Sequence, residues 1–252
     1  VTDGAGHTAT ATQVVTVVDN VNPTITAPAN ITTNASASCA VTGLALGTPV
    51  TADNCSVASV TNNAPTTYPL GVTTITWTVV DGAGHAVTAT QTVTVVDNTN
   101  PTITAPANVT VNANSACSAF NVALGTPVTA DNCTVASVTN NAPTVFPLGV
   151  TTVTWTVTDG AGHSVTATQT VTVVDNANPT IVAPAALTVN TNTACTATGV
   201  VLGTPVTADN CSVASVTNNA PTAFPLGNTT VTWTVTDGAG HTATATQVVT
   251  VV

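Results

Sequence analysis

Lysine, arginine, glutamate and methionine are absent from this sequence. Its only acids are ten aspartates, and its 252 residues carry a formal net charge of −10. With no ammonium or guanidinium to neutralise phosphate, nucleic acid has no point of attachment. A polybasic attraction to anionic lipid is removed in the same way. No apolar run reaches the roughly 18 residues of a membrane-spanning helix, so membrane insertion is not expected. No signal peptide is visible. Without Lys or Arg there is no tryptic cleavage site, which suits a protein living outside the cell. Acids with no basic partner in their own chain need an external cation, and a metal ion is the candidate.

What is present is mostly Thr, Val, Ala, Asn and Gly. Thr and Val are β-branched and favour strands, while good helix formers other than Ala are scarce. These proportions predict an all-β chain.

Self-comparison gives the organisation. DGAGH begins at Asp3, Asp81, Asp159 and Asp237, and each step is 78 residues. ADNC, ASVTNNAPT and PLG recur in the same register, and VVDN places its acid at Asp19, Asp97 and Asp175. Residues 1–18 are identical to residues 235–252. The expected division is therefore 1–18, carrying the last strands of a preceding repeat, followed by repeats 19–96, 97–174 and 175–252. A chain that continues in both directions is the expectation.

In the middle repeat, TTVTWTVTD alternates Val153, Trp155 and Val157 with threonines at period two, the mark of a strand with one apolar face. SVTATQTVTVV is the closing strand, after a GAG turn. PTITAPANVTVNA is a first strand region broken at Pro106, and VASVT a third strand. The segment 146–149 (FPLG) is a turn or an edge segment. Turn signals every 8–12 residues point to antiparallel sandwiches of about seven short strands. Trp77, Trp155 and Trp233 are expected in the cores. Repeats joined by the short DNxNP link would form an extended, semi-rigid rod, gaining about 30–40 Å per repeat.

The runs NPTITAPANVTV, TADNC and FPLGVTTVTWTVTDGAGHSVTATQTVTVV, in that order around a further cysteine, resemble the hyalin repeat (HYR) module. That resemblance covers all three repeats and implies tandem immunoglobulin-like domains of an extracellular adhesion protein. It is similar to the modules strung together in large bacterial cell-surface adhesins, including those of gliding motility. Two features depart from the family pattern. A second cysteine pair in the first and last strands is missing, and His85, His163 and His241 stand where the family has Asn.

Six cysteines fall two to a repeat: Cys39 and Cys55, Cys117 and Cys133, Cys195 and Cys211. An even count in an extracellular setting favours disulfides, and the spacing fits no common zinc motif. A bridge within each repeat is the first expectation. It requires the LGTP turn to fold the chain back, because fifteen residues in one straight strand would span about 50 Å. The alternatives are bridges between repeats, Cys39–Cys133 and Cys117–Cys211, or free thiols.

Threaded through an immunoglobulin-like topology, Asp97, Asp131 and Asp159 lie in three loops at one pole, beside Asn98, Asn100 and Asn132. The equivalent sets are Asp19, Asp53, Asp81 and Asp175, Asp209, Asp237. Oxygen ligands of this kind suit Ca²⁺. The competing reading makes these residues turn formers and caps only, since Asp-Gly is a turn signal in itself. No catalytic arrangement stands out. Asp159, His163 and a serine lack a nucleophile elbow, and turn-borne aspartates in an array are poor glycosidase candidates. The expected function is a non-enzymatic shaft, stiffened by disulfides and junctional calcium. Its partners would be neighbouring repeats of the chain and other filament chains. The alternative is a module whose repeats themselves bind surface glycans or a receptor.

Overall fold

The computed structural model describes residues 1–192 and 194–252. Among the described residues there are 24 strands and no helix. The middle repeat runs Thr102–Thr104, Val109–Asn112, Ser118–Phe120, Val128–Ala130, Val135–Asn140, Val145–Pro147, Gly149–Asp159 and Ser164–Val174. The same set of eight recurs from Thr24–Thr26 to Ala86–Val96 and from Thr180–Val182 to Thr242–Val251.

Two 11-residue strands, Gly149–Asp159 and Ser164–Val174, form the central hairpin, with Val153 opposite Gln169 and Trp155 opposite Ala167. Val135–Asn140 flanks the hairpin on one side and Val109–Asn112 on the other. The break at Pro106 has a topological result. Thr102–Thr104 pairs antiparallel with Val128–Ala130, whereas Val109–Asn112 runs parallel to Ser164–Val174. Proline cannot continue a ladder, so the chain changes sheets there. Each antiparallel sandwich thus includes one parallel pair. Val145–Pro147 is a short strand against Ser118–Phe120 rather than a turn.

Period-two alternation carries through to packing. Val153, Trp155 and Val157 are buried and the intervening threonines half-buried. Val153, Trp155, Val171 and Val173 cluster with Ala119 and Phe146. Tyr68 and Phe224 hold the equivalent buried positions in the other repeats. Asp159 closes the same inward face and is buried with it.

A glutamine sits inside each core. Gln169 is fully buried and all its hydrogen-bonding groups are used. Its Oε1 accepts from Trp155 Nε1 at 3.1 Å, and its Nε2 donates to Ala107 O at 2.7 Å and Leu124 O at 2.8 Å. Gln91 and Gln247 do the same with Trp77 and Trp233. The two carbonyls belong to the segment after Pro106 and to the LGTP turn. Those segments touch through Gly125, whose φ is +83° and where a Cβ would come within 3.2 Å of Pro106 Cβ. Glycine is required there both for the backbone angle and for the close approach.

By contact density the chain divides into two units. One is Val1–Asn100 with Asp131–Thr134 and Asp159–His163, and the other is Pro101–Ala130 with Val135–Thr158 and Ser164–Val252. Two loops of the second repeat therefore belong with the first.

The identical segments 1–18 and 235–252 differ in structure. The later copy supplies the end of Gly227–Asp237 and the strand Thr242–Val251. The earlier copy keeps the Asp-Gly turn and a single Thr2–Thr8 bridge, and residues 1–18 are all exposed. Strand formation here depends on a neighbouring strand, whereas the turn is local.

Replacing Gln169 by Leu leaves the Trp155 N–H and the carbonyls of Ala107 and Leu124 without these partners. We expect a loss of about 3 kcal/mol in that repeat. Urea unfolding followed through the tryptophan fluorescence checks it; a loss below about 0.5 kcal/mol would mean water replaces the amide without cost.

Candidate metal centre

Each Asp-Gly turn is built by its own acid. Asp159 Oδ1 accepts from the amides of Ala161 and His163 at 2.9 and 2.8 Å, and its Oδ2 lies 2.8 Å from His163 Nδ1. With the carboxylate ionised, the Nδ1–H tautomer donates. Asp81 and Asp237 repeat this arrangement with His85 and His241, and exposed Asp3 with His7. Burial pushes the Asp81, Asp159 and Asp237 carboxyls up. Hydrogen bonds from the histidine ring and the turn amides outweigh it, and all three end below the usual aspartate value.

The turn docks on the loop Asp131–Thr134. Gly160 N donates to Thr134 O at 3.0 Å, and a Cβ at Gly160 would strike Thr134 Oγ1 at 2.6 Å. This approach brings Asp97, Asp131 and Asp159 together, each offering an oxygen, with those oxygens within 4.8 Å of one another. Asp19, Asp53 and Asp81 form the same group in the first repeat. In the third, Asp175 and Asp237 meet His241. Asp209, expected in that set, lies outside the trio, and its carboxylate caps the amides of Cys211 and Ser212.

Capping and ion-holding divide the oxygens between them. Asp97 Oδ1 accepts from Thr99 N and Asp131 Oδ2 from Cys133 N. Their other oxygens, Asp97 Oδ2 and Asp131 Oδ1, are shielded from water and have no hydrogen-bond partner. Asp19 Oδ2, Asp53 Oδ1, Asp175 Oδ2 and Asp209 Oδ1 are orphaned in the same way, as are the side-chain oxygens of Asn132 and Asn210. Buried acceptors are nearly always satisfied, so a pattern repeated three times calls for a ligand. Two oxygens on opposite sides of a calcium ion, each at about 2.4 Å, lie about 4.8 Å apart. The group that converges in the second repeat is three carboxylates, hard oxygen donors, and it fits such an ion.

The disulfides lie beside these clusters and correct the first expectation. No bridge forms within a repeat. Cys39 pairs with Cys133 and Cys117 with Cys211, each pair with Cα atoms 4.5 Å apart, while Cys55 and Cys195 are free and exposed. The reason is visible in the first repeat. Ile31–Asn34 runs parallel to the last strand and ends opposite Val96, so the Cys39 turn lies at the exit. Cys55 lies at the entrance, where Asn54 Nδ2 donates to Asp19 Oδ1 and Gly82 N to Ser56 O. The 11 residues of Ala86–Val96 separate the two ends, about 35 Å. The LGTP turn does not return the chain to the exit. Asp19 and then burial hold the Cys55 thiol pKa up. Around the first bridge Asn132 Nδ2 also donates to Ser36 O at 3.4 Å.

Sequence reasoning passed over two features. Buried Gln91, Gln169 and Gln247 share the strand parity of the core valines, which was the available signal. Phe120, 61% exposed, stands where the other repeats have Thr42 and Thr198.

Residues 96–173 match the HYR domain. The whole array is similar to hyalin of Strongylocentrotus purpuratus, 31% identical across 99% of this chain but spanning only 22% of that protein. Among solved structures, mouse cadherin-23 repeats EC22–24 align over 92% of this chain and 99% of theirs, at 13% identity and a TM-score of 0.40. Protocadherin gamma B2 domains 3–6 align over 91% and 73%, at 12% identity and 0.36.

The lowered carboxyl pKa values set a pH dependence. A group whose folded pKa is depressed stabilises the fold above its unfolded value and loses that contribution as pH falls through the folded value. In chelator, the melting temperature should hold down to about pH 4, the ordinary aspartate range, and fall below it. Asp159→Asn should flatten that acid limb for the second repeat. An acid limb unchanged in the variant would place the pH dependence elsewhere.

Proposed function

We propose that this chain is a segment of the shaft of an extracellular adhesion-type repeat protein, displayed on a bacterial cell surface as in filaments or gliding-motility adhesins. Each repeat would hold one calcium ion at its entrance pole, with domains divided at 19–96, 97–174 and 175–252. The carrying observation is the set of orphaned carboxylate oxygens that recurs at the same place in all three repeats. Asp97, Asp131, Asn132 and Asp159 would be the protein ligands in the second repeat, and backbone or water oxygens would complete the shell. The ion supplies the positive charge that the sequence lacks.

Several features favour a mechanical role without enzymatic activity. The HYR match and the likeness to hyalin point to adhesion proteins. The repeats are nearly identical, so chemistry is not concentrated in one of them. Inter-repeat disulfides tie the exit turn of one repeat to the entrance loop of the next, which would limit bending of a rod. Neighbouring repeats are then the principal partners of each repeat. One observation favours the second reading, glycan or receptor binding by the repeats: the exposed ring of Phe120, a platform of the kind a sugar stacks on.

Calorimetric titration of calcium into chelator-treated protein tests the proposal. We expect about three ions per chain, one per cluster, and the loss of one in Asp131→Asn. Small-angle scattering should show the maximum dimension shrinking when calcium is withdrawn. Absence of saturable binding, or rods indifferent to chelation, would overturn the calcium clamp. Glycan binding lost in Phe120→Ala would favour the adhesive module over the passive shaft.

A further inference from the structure

Val213–Asn218 ends the strand order of its sheet, beside Gly227–Asp237, and among the described residues no strand pairs with its other edge. Val57–Asn62 and Val135–Asn140 hold the same place, and all three strands read VASVTN. An open edge recruits further strands unless lysine, proline, an inward charge or a cover blocks it. This chain has no lysine, and the edge strand carries neither charge nor proline. The guard it does have is a bulge between Val213 and Ser215, after which Ser215–Asn218 pairs in regular register.

Two properties of this edge meet at Val216. It stands opposite Val235 and shares that residue's inward face. Val235 is fully buried, yet Val216 is 39% exposed, so the facing sheet stops short of the edge. Val60 and Val138 are left equally open. Backbone groups also point to alternate sides along a strand. Asn219 N donates to Thr232 O, so Thr217 and Ser215 direct their amides toward Gly227–Asp237, and Val216 and Asn218 direct theirs to the open side.

The edge is complementary to itself. Ser215, Val216 and Thr217 give hydroxyl, valine, hydroxyl in either direction. Two copies paired antiparallel about Val216 set valine against valine on the inward face and Ser215 against Thr217 on the other, with the two valines exchanging both backbone hydrogen bonds. A slip of one residue sets valine against hydroxyl. The nearest acid, Asp237, stands opposite Val213. The twofold places the two Val213 ends on opposite sides, about 20 Å apart, beyond the screening length of about 8 Å in physiological salt.

We propose that the VASVTN edge of one chain pairs antiparallel with the same edge of a second copy, joining their sheets laterally. The contact is isologous, the same patch on both partners. It recurs once per repeat, so weak pairs add along the chains. The twofold sets paired repeats in opposite directions, so partners come from chains of opposite polarity. Backbone and uncharged side chains make the contact, and it does not rest on the calcium reading.

The full chain, with the thiols of Cys55 and Cys195 alkylated to exclude disulfide-linked dimers, is followed by sedimentation equilibrium from about 1 μM to about 1 mM, in calcium and again in chelator. We expect the average mass to rise at least about twofold in both, and peptic fragments covering VASVTN to gain protection from hydrogen exchange as it rises. The triple variant Val60→Lys, Val138→Lys, Val216→Lys should stay monomeric, and so should its Asp counterpart, because like charges then meet across the twofold. An equimolar mixture of the two variants, each with native tryptophan fluorescence, should associate again. A wild-type chain monomeric throughout, association that appears only in calcium, association undiminished in either variant, a mixture that stays monomeric, or protection gained at Val109–Asn112 instead would overturn the proposal.

Discussion

A carboxylate oxygen withdrawn from water needs a hydrogen-bond donor or a cation beside it. In this chain backbone amides serve one oxygen of Asp97 and of Asp131, the turn amides and His163 take both oxygens of Asp159, and the sequence holds no lysine or arginine to serve the oxygens left over. At each repeat entrance that unmet demand is concentrated where two or three acids converge. The fold spends a loop, a link and a hairpin turn on gathering charges that repel one another. An external divalent ion would turn that repulsion into attraction, and in the second and third repeats the same loop carries the cysteine that ties it to the preceding repeat.

The interior positions the poles. In the long hairpin Trp155 donates to Gln169, and Gln169 donates to two carbonyls of the facing segments. Alternation along Gly149–Asp159 then delivers Asp159 on the inward face, at a fixed height, where Gly160 lets the turn lie flat on Thr134. The position of each cluster is thus set by a core about two turns of alternation away. The histidine beside each turn acid helps to hold its carboxyl ionised, leaving it ready to face a cation.

Much of this was legible in the residues. The repeat, the strands and the inward tryptophan follow from periodicity, because period two and recurrence at 78 are properties of the chain itself. The convergence of Asp97, Asp131 and Asp159 followed from a topology, and in the structure their oxygens lie within 4.8 Å of one another. The disulfides were not legible. A spacing of 16 does not say which end of a sandwich each cysteine occupies; that depends on the parallel strand carrying the first cysteine to the exit. Gln169 was overlooked because a polar residue in a threonine-rich strand looks solvated unless its parity with Val171 and Val173 is counted. The two copies of the 18-residue segment separate the kinds of information involved. The Asp-Gly turn is coded locally and forms in both, while the strands form only where a partner strand is present.

The account turns on an ion at the carboxylate clusters, and anomalous scattering from crystals grown in calcium observes it most directly. We predict a peak at each cluster within about 2.3–2.6 Å of oxygens from Asp97, Asp131 and Asn132 in the second repeat, and at the equivalent positions in the others. Clusters occupied by water alone, with Asp97 Oδ2 and Asp131 Oδ1 hydrogen-bonded to it, would contradict the account and leave these aspartates as turn formers.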